Sequence, residues 1–230
     1  LSLMDALVEE GYAVYAIDLR GYGATPRDST QWFTPDKAAK DLKAVLEWIN
    51  DQKEWKAKPH LFGWSMGSSN SQLTAQRYPQ LISSLILFGY WVDADTTFPV
   101  DNEGIKPEYI VNTAEAAASD FLNPGVTISQ KAIDRYVEEA LKADSIKVDW
   151  KNLSDYNELD PALVTVPTLL IQGIDDPIAP TERQVKLYTR LGSTYKEWVT
   201  LEGDHAAFME TAKESFVKSM TDFMRLVSAG

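Results

Sequence analysis

Short apolar runs alternate with stretches of helical periodicity along most of the chain. Apolar runs of strand length, bounded by glycine, proline or polar residues, occur at residues 12–18, 59–64, 81–89, 168–173 and 195–201. We predict a β-strand at each of them. Strands that alternate with helices favour an α/β fold, in which a mostly parallel sheet carries helices on both faces.

Helical patterns lie between these predicted strands and after the last one. One begins at Thr34 and Pro35, a capping hydroxyl followed by proline in the first turn, and continues with apolar residues at helical spacing to Ile49. Further helices are predicted at residues 66–78, 180–191 and 206–227. The chain also opens on a helical pattern, so we expect a helix that is already under way at Leu1.

Residues 90–161 break this rhythm. They contain no strand pattern, and they show two helical stretches, one at residues 107–122 and one that starts near Ser129. The second stretch places apolar residues on one face, namely Ile133, Tyr136, Val137, Ala140 and Leu141. A helical excursion between two strands of one sheet indicates a cap over a ligand site. We therefore expect residues 1–89 and 162–230 to form the core and residues 90–161 to form a helical cap.

A serine lies at the junction of the second predicted strand and the helix that follows it. The segment Gly63-Trp64-Ser65-Met66-Gly67 fits the pattern G-x-S-x-G in the strand–turn–helix context that a nucleophile elbow requires. Such a tight turn needs small residues two positions away on each side, so that strand and helix nearly touch. We predict that Ser65 is a nucleophile and that the Met66 amide stabilises a developing oxyanion. The alternative is a plain glycine turn.

A serine nucleophile needs a base, and the chain has two histidines. His60 lies inside a predicted strand and is expected to be structural. His205 follows the last predicted strand and precedes a helix, and loops at the carboxyl ends of parallel strands are where α/β enzymes place their chemistry. We predict that His205 is the base, with a surface loop histidine as the alternative.

The carboxylate that orients the histidine is expected between the serine and the histidine in chain order. Asp175 and Asp176 both follow the strand predicted at 168–173, and spacing alone does not separate them. Asp93, after the third predicted strand, is a further position for this acid. Asp204 is too close to His205 in sequence to approach the ring from the opposite side.

The amino-acid composition argues against several classes of binding partner and site. The chain has 230 residues, 44% of them hydrophobic, and a formal net charge of −12, which argues against nucleic acid or an anionic membrane surface as a partner. The absence of cysteine excludes disulfides, thiolate nucleophiles and cysteine-based zinc sites. No apolar run approaches the roughly 18 residues of a membrane span. These features are typical of a soluble protein, cytoplasmic or secreted, and leave the compartment and the oligomeric state open.

Four segments together resemble one family. Residues 18–23 (DLRGYG), 63–67 (GWSMG), 173–177 (GIDDP) and 203–205 (GDH) resemble the α/β-hydrolase superfamily, in the same order and spread over nearly the whole chain. The resemblance is to its capped esterase and lipase-like members. It implies an α/β-hydrolase fold, a cap inserted after the sixth strand of that fold, and Asp176 as the acid. Serine at the elbow distinguishes the chain from epoxide hydrolases and haloalkane dehalogenases, which have aspartate there.

The resemblance also implies parts that precede this sequence. Members of the superfamily carry a His-Gly turn after their third strand that supplies the second oxyanion N–H, and the sequence begins after the equivalent position. Their third strand lies between those that match residues 12–18 and 59–64. We therefore expect these two strands not to be neighbours, and several tens of further residues before Leu1 in the native enzyme.

Together these features predict a hydrolase of small carboxylic esters that works through an acyl-enzyme intermediate, with no metal or cofactor. Aromatic residues that flank the predicted site are candidates for a substrate pocket: Trp64, Tyr22, Tyr90, Trp91 and Phe208. The same triad serves carbon–carbon bond hydrolases, peptidases and perhydrolases, which are the alternatives. An alternative of another class is a non-catalytic receptor that uses the capped pocket to bind a ligand.

Overall fold

The computed structural model describes residues 2–52, 57–100 and 108–229. The strands in chain order are β1 (Trp32–Phe33), β2 (His60–Trp64), β3 (Ser84–Phe88), β4 (Ile110–Val111), β5 (Ile146–Lys147), β6 (Asp149–Trp150), β7 (Thr168–Gly173) and β8 (Lys196–Leu201). The α-helices are α1 (Leu3–Glu9), α2 (Pro35–Asn50), α3 (Met66–Arg77), α4 (Ala114–Ala117), α5 (Gln130–Ala143), α6 (Thr181–Arg190) and α7 (Lys213–Ala229). Short 3₁₀ helices span Pro79–Leu81, Leu153–Glu158, Pro161–Leu163 and Ala207–Met209.

The centre of the molecule is a parallel sheet with the strand order β2-β3-β7-β8. Every residue of β3 and β7 is buried, as expected for central strands of a sheet that is covered on both faces. On one face the sheet packs against α1 and α7, and on the other against α2, α3 and α6. The predicted α/β class with a mostly parallel sheet is confirmed.

The helices that cover the sheet begin where the sequence places caps. The Thr34 hydroxyl accepts a hydrogen bond from the Lys37 amide, and Pro35 occupies the first turn of α2. The apolar face of α2 then buries Leu42, Leu46 and Ile49. Burial of each such side chain stabilises the fold by about 1.5–3 kcal/mol. α1 begins at Leu3 and is capped by the Ser2 side chain, whereas we expected a helix already under way at Leu1, which lies outside the described residues.

Residues 12–18 do not form the predicted strand. They have no assigned secondary structure and pair with no strand in the described part of the chain, and β2 is an edge strand in the sheet that the described residues form. Their apolar side chains pack from this position onto both cores. Tyr12 and Val14 contact the cluster beneath α7, and Ile17 contacts the cluster beneath α2. The apolar pattern thus reports core contact only in part, since none of residues 12–18 is fully buried and Tyr15 is exposed. A ladder also needs a paired strand, and no strand pairs with this segment among the described residues.

Residues 90–161 lie between β3 and β7 and contain more strand than expected. The stretch predicted as a helix at 107–122 holds only the four-residue α4, preceded by the strand β4, and its first residue lies outside the described residues. β4 pairs antiparallel with β5, and β6 pairs with β1 of the N-terminal part. The helix predicted from Ser129 is confirmed as α5, with Ser129 as its cap and Ile133 buried.

The helix predicted at 206–227 begins later than expected. Ala207–Met209 is a 3₁₀ helix, and α7 starts at Lys213. Between the 3₁₀ helix and α7, the chain is held by side-chain hydrogen bonds to residues that are distant in sequence. The Thr211 hydroxyl bonds the Thr127 carbonyl, and the Glu210 carboxylate accepts from the Ser129 amide. Such tertiary bonds override local helical propensity in this loop.

An ionic network fixes the loop that follows residues 12–18. The Arg20 guanidinium binds Asp41 on α2 and donates to Asp28 (3.0 Å), and Lys37 reaches Asp28 at 2.7 Å. Burial acts to raise the pKa of Asp28, but hydrogen bonds from Lys37, Thr30 and Arg20 together hold that pKa well below its usual range.

None of the helices in the described part of the chain is long and apolar enough to cross a membrane.

Candidate active site

Ser65 occupies the turn between β2 and α3 in a backbone conformation that L-residues rarely adopt. Its φ is 53° and its ψ is −125°, a sparsely populated region that persists only where the surrounding structure enforces it. The Ser65 amide donates to the carbonyl of Phe88 at the end of β3 (3.0 Å), and the Ser68 amide donates to the Ser65 carbonyl (2.9 Å). These bonds fix Ser65 at the carboxyl edge of the sheet.

The close approach of strand and helix at this turn explains Gly63. A Cβ on Gly63 would lie 2.3 Å from the carbonyl oxygen of Gly67 and 2.6 Å from Ser71 Oγ, so a side chain would force the helix away from the strand. A Cβ on Gly67 would meet nothing within 4 Å. The expectation that both positions exclude a side chain is therefore right for Gly63 and wrong for Gly67, where the backbone makes the contact.

His205 and Asp176 form a buried pair. Their exposed fractions are 0% and 3%, and His205 Nδ1 lies 2.7 Å from Asp176 Oδ2. The other carboxylate oxygen, Oδ1, accepts from the amides of Ile178 (2.9 Å) and Ala179 (3.1 Å). These two amides fix the carboxylate. The bonding pattern assigns the ring proton to Nδ1, which donates to Oδ2 and leaves the lone pair on Nε2.

The His205 ring lies at the carboxyl ends of β2 and β3. The Trp64 indole N–H donates to the His205 carbonyl (2.8 Å), and a Cβ on Gly89 would lie 2.7 Å from His205 Cε1. Ser65 directly follows Trp64, and its amide bonds the residue before Gly89. His205 Nε2 is buried and has no hydrogen-bond partner among the described residues. The site thus presents an unbonded basic nitrogen next to the strand ends that carry the serine.

The other candidate acids and the other histidine have different surroundings. Asp175 is exposed to solvent. Asp93 lies 2.8 and 2.9 Å from the ammonium group of Lys186. His60 Nδ1 lies 2.7 Å from Ser84 Oγ within the sheet, and burial lowers the pKa of His60. The structural environment of His60 matches the role expected from its position in a strand.

Two of the aromatic residues predicted to line a pocket lie beside the histidine. The Trp64 ring is 5.6 Å from the His205 ring and 5.0 Å from the Phe208 ring, measured between centroids. Phe208 is buried in the cluster beneath α7, where it also packs against Phe88 and Phe216. These rings form an apolar wall under the His205 loop.

The other three aromatic residues lie in different clusters. Tyr90 is fully buried among the residues beneath α2 and α6, Trp91 packs against the same cluster, and burial raises the pKa of Tyr90. Tyr22 packs against Phe33 and accepts a hydrogen bond from the Trp150 indole (2.6 Å). The structure therefore does not bring the whole predicted set together around one contact.

Sequence reasoning missed two residues that contact the histidine loop. Gly89 has a φ of 60° and leaves room for the His205 ring. Its position at the end of an apolar strand was the sequence feature that could have indicated a close contact at the carboxyl edge of the sheet. Asp204 is fully buried and bonds Asn123 and Thr127. Nothing in the local sequence distinguishes Asp204 from a solvated loop carboxylate.

A strained serine turn at the end of a parallel strand, with a histidine–carboxylate pair at the same sheet edge, is the arrangement of the α/β hydrolases, whose fold this chain adopts. More narrowly, residues 1–212 match the serine aminopeptidase S33 family (Hydrolase_4), and the chain belongs to that family.

Individual relatives agree with this assignment. A 2-hydroxy-6-oxononadienedioate/2-hydroxy-6-oxononatrienedioate hydrolase of a Pseudomonas species is 25% identical over 200 residues, 80% of this chain and 68% of the relative. The 2-hydroxy-6-oxo-6-(2'-aminophenyl)hexa-2,4-dienoic acid hydrolase of Metapseudomonas resinovorans is 24% identical over 230 residues, 93% of this chain and 77% of the relative. The crystal structure of the monoacylglycerol lipase of Paleococcus ferrophilus superposes with a TM-score of 0.67 at 20% identity, and the match covers 99% of this chain and 88% of that one.

Proposed function

We propose that the protein is a serine hydrolase in which Ser65 is the nucleophile, His205 the general base and Asp176 the residue that orients the base. The observation that carries this proposal is the buried pair of His205 Nδ1 and Asp176 Oδ2 at 2.7 Å, which leaves Nε2 unbonded beside the serine turn. Ser65 and His205 are not hydrogen-bonded to each other in this state. Such bonds are often formed only once substrate is bound.

The proposed reaction begins when His205 Nε2 takes the hydroxyl proton of Ser65 as the oxygen attacks a substrate carbonyl. The negative charge that develops on the carbonyl oxygen is stabilised by the Met66 amide at the N-terminus of α3, where the helix dipole also favours an anion. His205 then protonates the leaving group, and an acyl-enzyme remains. In the second half, His205 activates a water molecule that releases the acid and restores Ser65.

A small carboxylic ester is the proposed substrate. Its alkoxide leaving group needs only the proton that His205 already carries, so the residues named above suffice for both half-reactions. The rings of Trp64 and Phe208 offer an apolar surface next to the histidine for the acyl or the alcohol part.

The curated relatives favour a second candidate, hydrolysis of a carbon–carbon bond in an oxo-dienoic acid. Here Ser65 attacks a ketone carbonyl, and the leaving group is a carbanion. Such a group departs only when conjugation stabilises its charge, which the 2-hydroxy-6-oxo-diene in the names of the relatives provides once its enol has tautomerised to the 2,6-dioxo form; the electron pair then moves into the dienolate and takes up a proton. These relatives, at 24–25% identity, support the candidate.

We also propose that residues 90–161 act as a cap over this site. Phe121, Ile128 and Ile133 of this stretch pack in one cluster with Ala206, the neighbour of His205. This contact between part of the stretch and the loop that carries the proposed base supports the proposal.

One set of assays tests the proposed function and separates its candidates. A fluorophosphonate probe should label the wild-type protein and not Ser65→Ala, because only an activated serine reacts. An unlabelled wild-type protein would favour a non-catalytic receptor. p-Nitrophenyl esters of rising chain length test the ester reaction, and the loss of ultraviolet absorbance of a 2-hydroxy-6-oxo-dienoic acid tests the carbon–carbon reaction. Loss of Ser65 should lower turnover by about 10⁴- to 10⁶-fold; residual activity near a tenth of wild type would exclude Ser65 as the nucleophile.

A further inference from the structure

Asp204, the residue before His205, is a buried carboxylate with side-chain partners outside the proposed triad. It is 0% exposed, and a carboxylate in the interior is costly unless every oxygen is hydrogen-bonded. Oδ1 accepts from the Ala206 amide in its own loop (3.2 Å). Oδ2 accepts from Asn123 Nδ2 (2.7 Å) and Thr127 Oγ1 (3.1 Å), which lie about eighty residues earlier in the chain.

The two residues that reach Asp204 from afar belong to one tight turn. The amide of Thr127 donates to the Asn123 carbonyl (3.1 Å), so both side chains are presented from the same small loop. Gly203 allows this turn to come close, because a Cβ there would lie 3.1 Å from Thr127 Cγ2 and 2.8 Å from Ala207 Cβ. The approach of the two loops is thus matched in shape as well as in hydrogen bonding.

The loop that carries His205 is held on its other sides by the core. The Trp64 indole bonds the His205 carbonyl, and the Gly203 carbonyl accepts from the Asp175 amide (3.0 Å). The carboxylate of Asp204 is one of the contacts that add residues 123–127 to this frame, and it is the one next to His205; the Thr211 hydroxyl bonds the Thr127 carbonyl further along the chain. A shift of that turn would therefore move the backbone of His205 directly.

We infer that Asp204 is a positioning residue. It ties the turn at residues 123–127 to the His205 loop, and thereby fixes the distance between His205 Nε2 and the serine turn. This inference rests on the proposed function, because it assigns Asp204 a role through His205. It gives residues 123–127 an influence on turnover.

The substitution Asp204→Asn distinguishes a positioning role from the mere burial of a polar group. A carboxylate accepts on both oxygens, whereas asparagine has one acceptor and one donor group. In Asp204→Asn, an oxygen that stays on the Ala206 amide leaves the Nδ2 group facing Asn123 and Thr127, so both bonds across the loops lose their charged acceptor and the Asn123 amide must turn over to accept. The exchange Asp204→Asn with Asn123→Asp restores a donor–acceptor pair with reversed direction, and it keeps the charge and the size of the site.

The experiment measures kcat, KM and the rate of fluorophosphonate labelling for the wild type, Asp204→Asn, the exchanged double variant and the control Asp175→Asn. Asp175 is exposed in the neighbouring loop, so the control makes the same chemical change without a buried bond. We expect Asp204→Asn to lower kcat and the labelling rate by about 10- to 100-fold with KM nearly unchanged, because a small displacement of a catalytic group has that effect. The double variant should regain most of both rates, and the control should equal the wild type.

Several results would overturn the inference. One is a folded Asp204→Asn protein whose labelling rate stays within about twofold of wild type. Another is a double variant that remains as slow as Asp204→Asn, which would show that the bond across the loops is irrelevant. If Asp204→Asn does not fold, Asn123→Ala, a change at an exposed residue, removes one bond, and an unchanged kcat in it would overturn the inference as well. A wild-type protein that is not labelled at all instead contradicts the proposed function.

Discussion

Replacement of Gly89 by alanine has two separate effects, backbone strain and a close contact with His205, and the magnitude of each can be estimated. Its φ of 60° lies in the left-handed region, where alanine costs about 1–2 kcal/mol more than glycine. In addition, a Cβ at this position would lie 2.7 Å from His205 Cε1 and 2.9 Å from His205 Nδ1. Carbon atoms in contact lie about 3.5–4.0 Å apart, so in Gly89→Ala the ring must retreat by roughly 0.8 Å or more.

That displacement predicts a loss of activity in addition to a loss of stability. Misplacing a catalytic group by about 1 Å costs on the order of 100-fold in rate. We therefore expect Gly89→Ala to react with a fluorophosphonate about 10- to 100-fold more slowly than the wild type. Its free energy of unfolding should fall by about 2–5 kcal/mol, the sum of backbone strain and overpacking.

Gly11 supplies the matched control. Its φ is 90°, and a Cβ there would meet nothing within 4 Å, so Gly11→Ala carries the backbone strain alone. Both variants are assayed at a temperature well below their melting temperatures, which circular dichroism determines. A Gly89→Ala protein that is folded and labels as fast as Gly11→Ala would refute the argument, because it would show that the His205 ring can move aside without loss of its function.

Three further predictions follow from contacts described above. Asp176→Asn should lower kcat by about 10⁴-fold, since an amide holds the His205 ring in the wrong tautomer, whereas Asp175→Asn should leave kcat unchanged; equal and mild losses in steady-state assays would point to another acid. Because the folded-state pKa of Asp28 is lowered, its contribution to stability is complete above its unfolded-state pKa of about 3.9 and is lost as the pH falls through the folded value. Asp28→Asn should therefore melt at a lower temperature than the wild type at neutral pH and lose less on acidification; parallel melting curves from about pH 7 to about pH 3 would contradict this. Both polar atoms of the buried Gln72 side chain lack a hydrogen-bond partner among the described residues, so Gln72→Met should raise the melting temperature by about 2–4 °C, and a clear drop would show that the amide is satisfied in solution.

The parts of this protein that could be predicted from sequence obey local rules. The serine turn needs a residue without a side chain at Gly63, and the α2 helix needs a cap and a repeating apolar face; both requirements are visible within a few residues. The assignment of His205 followed from its place after a strand. The choice of Asp176 over Asp175 needed the resemblance to a family, since the two differ only in burial, which the fold decides.

The expectations that failed depend on partners that are distant in sequence. Residues 12–18 have the apolar pattern of a strand, but such a pattern indicates contact with a core and not the presence of a paired strand. Residues 206–212 have helical spacing, yet bonds to Thr127 and Ser129 hold them in another conformation. The short strands β4, β5 and β6 are two residues each, too short for alternation to be visible.

Asp204 shows that contacts between residues distant in sequence, which the sequence alone does not reveal, matter for function. In the sequence it is one of several carboxylates near a histidine, and only the fold reveals that its two oxygens bond two different loops. If that link works as inferred, residues 123–127 cannot vary freely even though Asn123 is exposed and the turn touches no proposed catalytic atom. Substitutions elsewhere in residues 90–161 would then alter substrate choice through the pocket, while substitutions in this turn would alter turnover with any substrate. A scan of single alanine substitutions through residues 121–129, scored on two unrelated esters, would separate the two effects, since a positioning effect lowers kcat for both esters by the same factor.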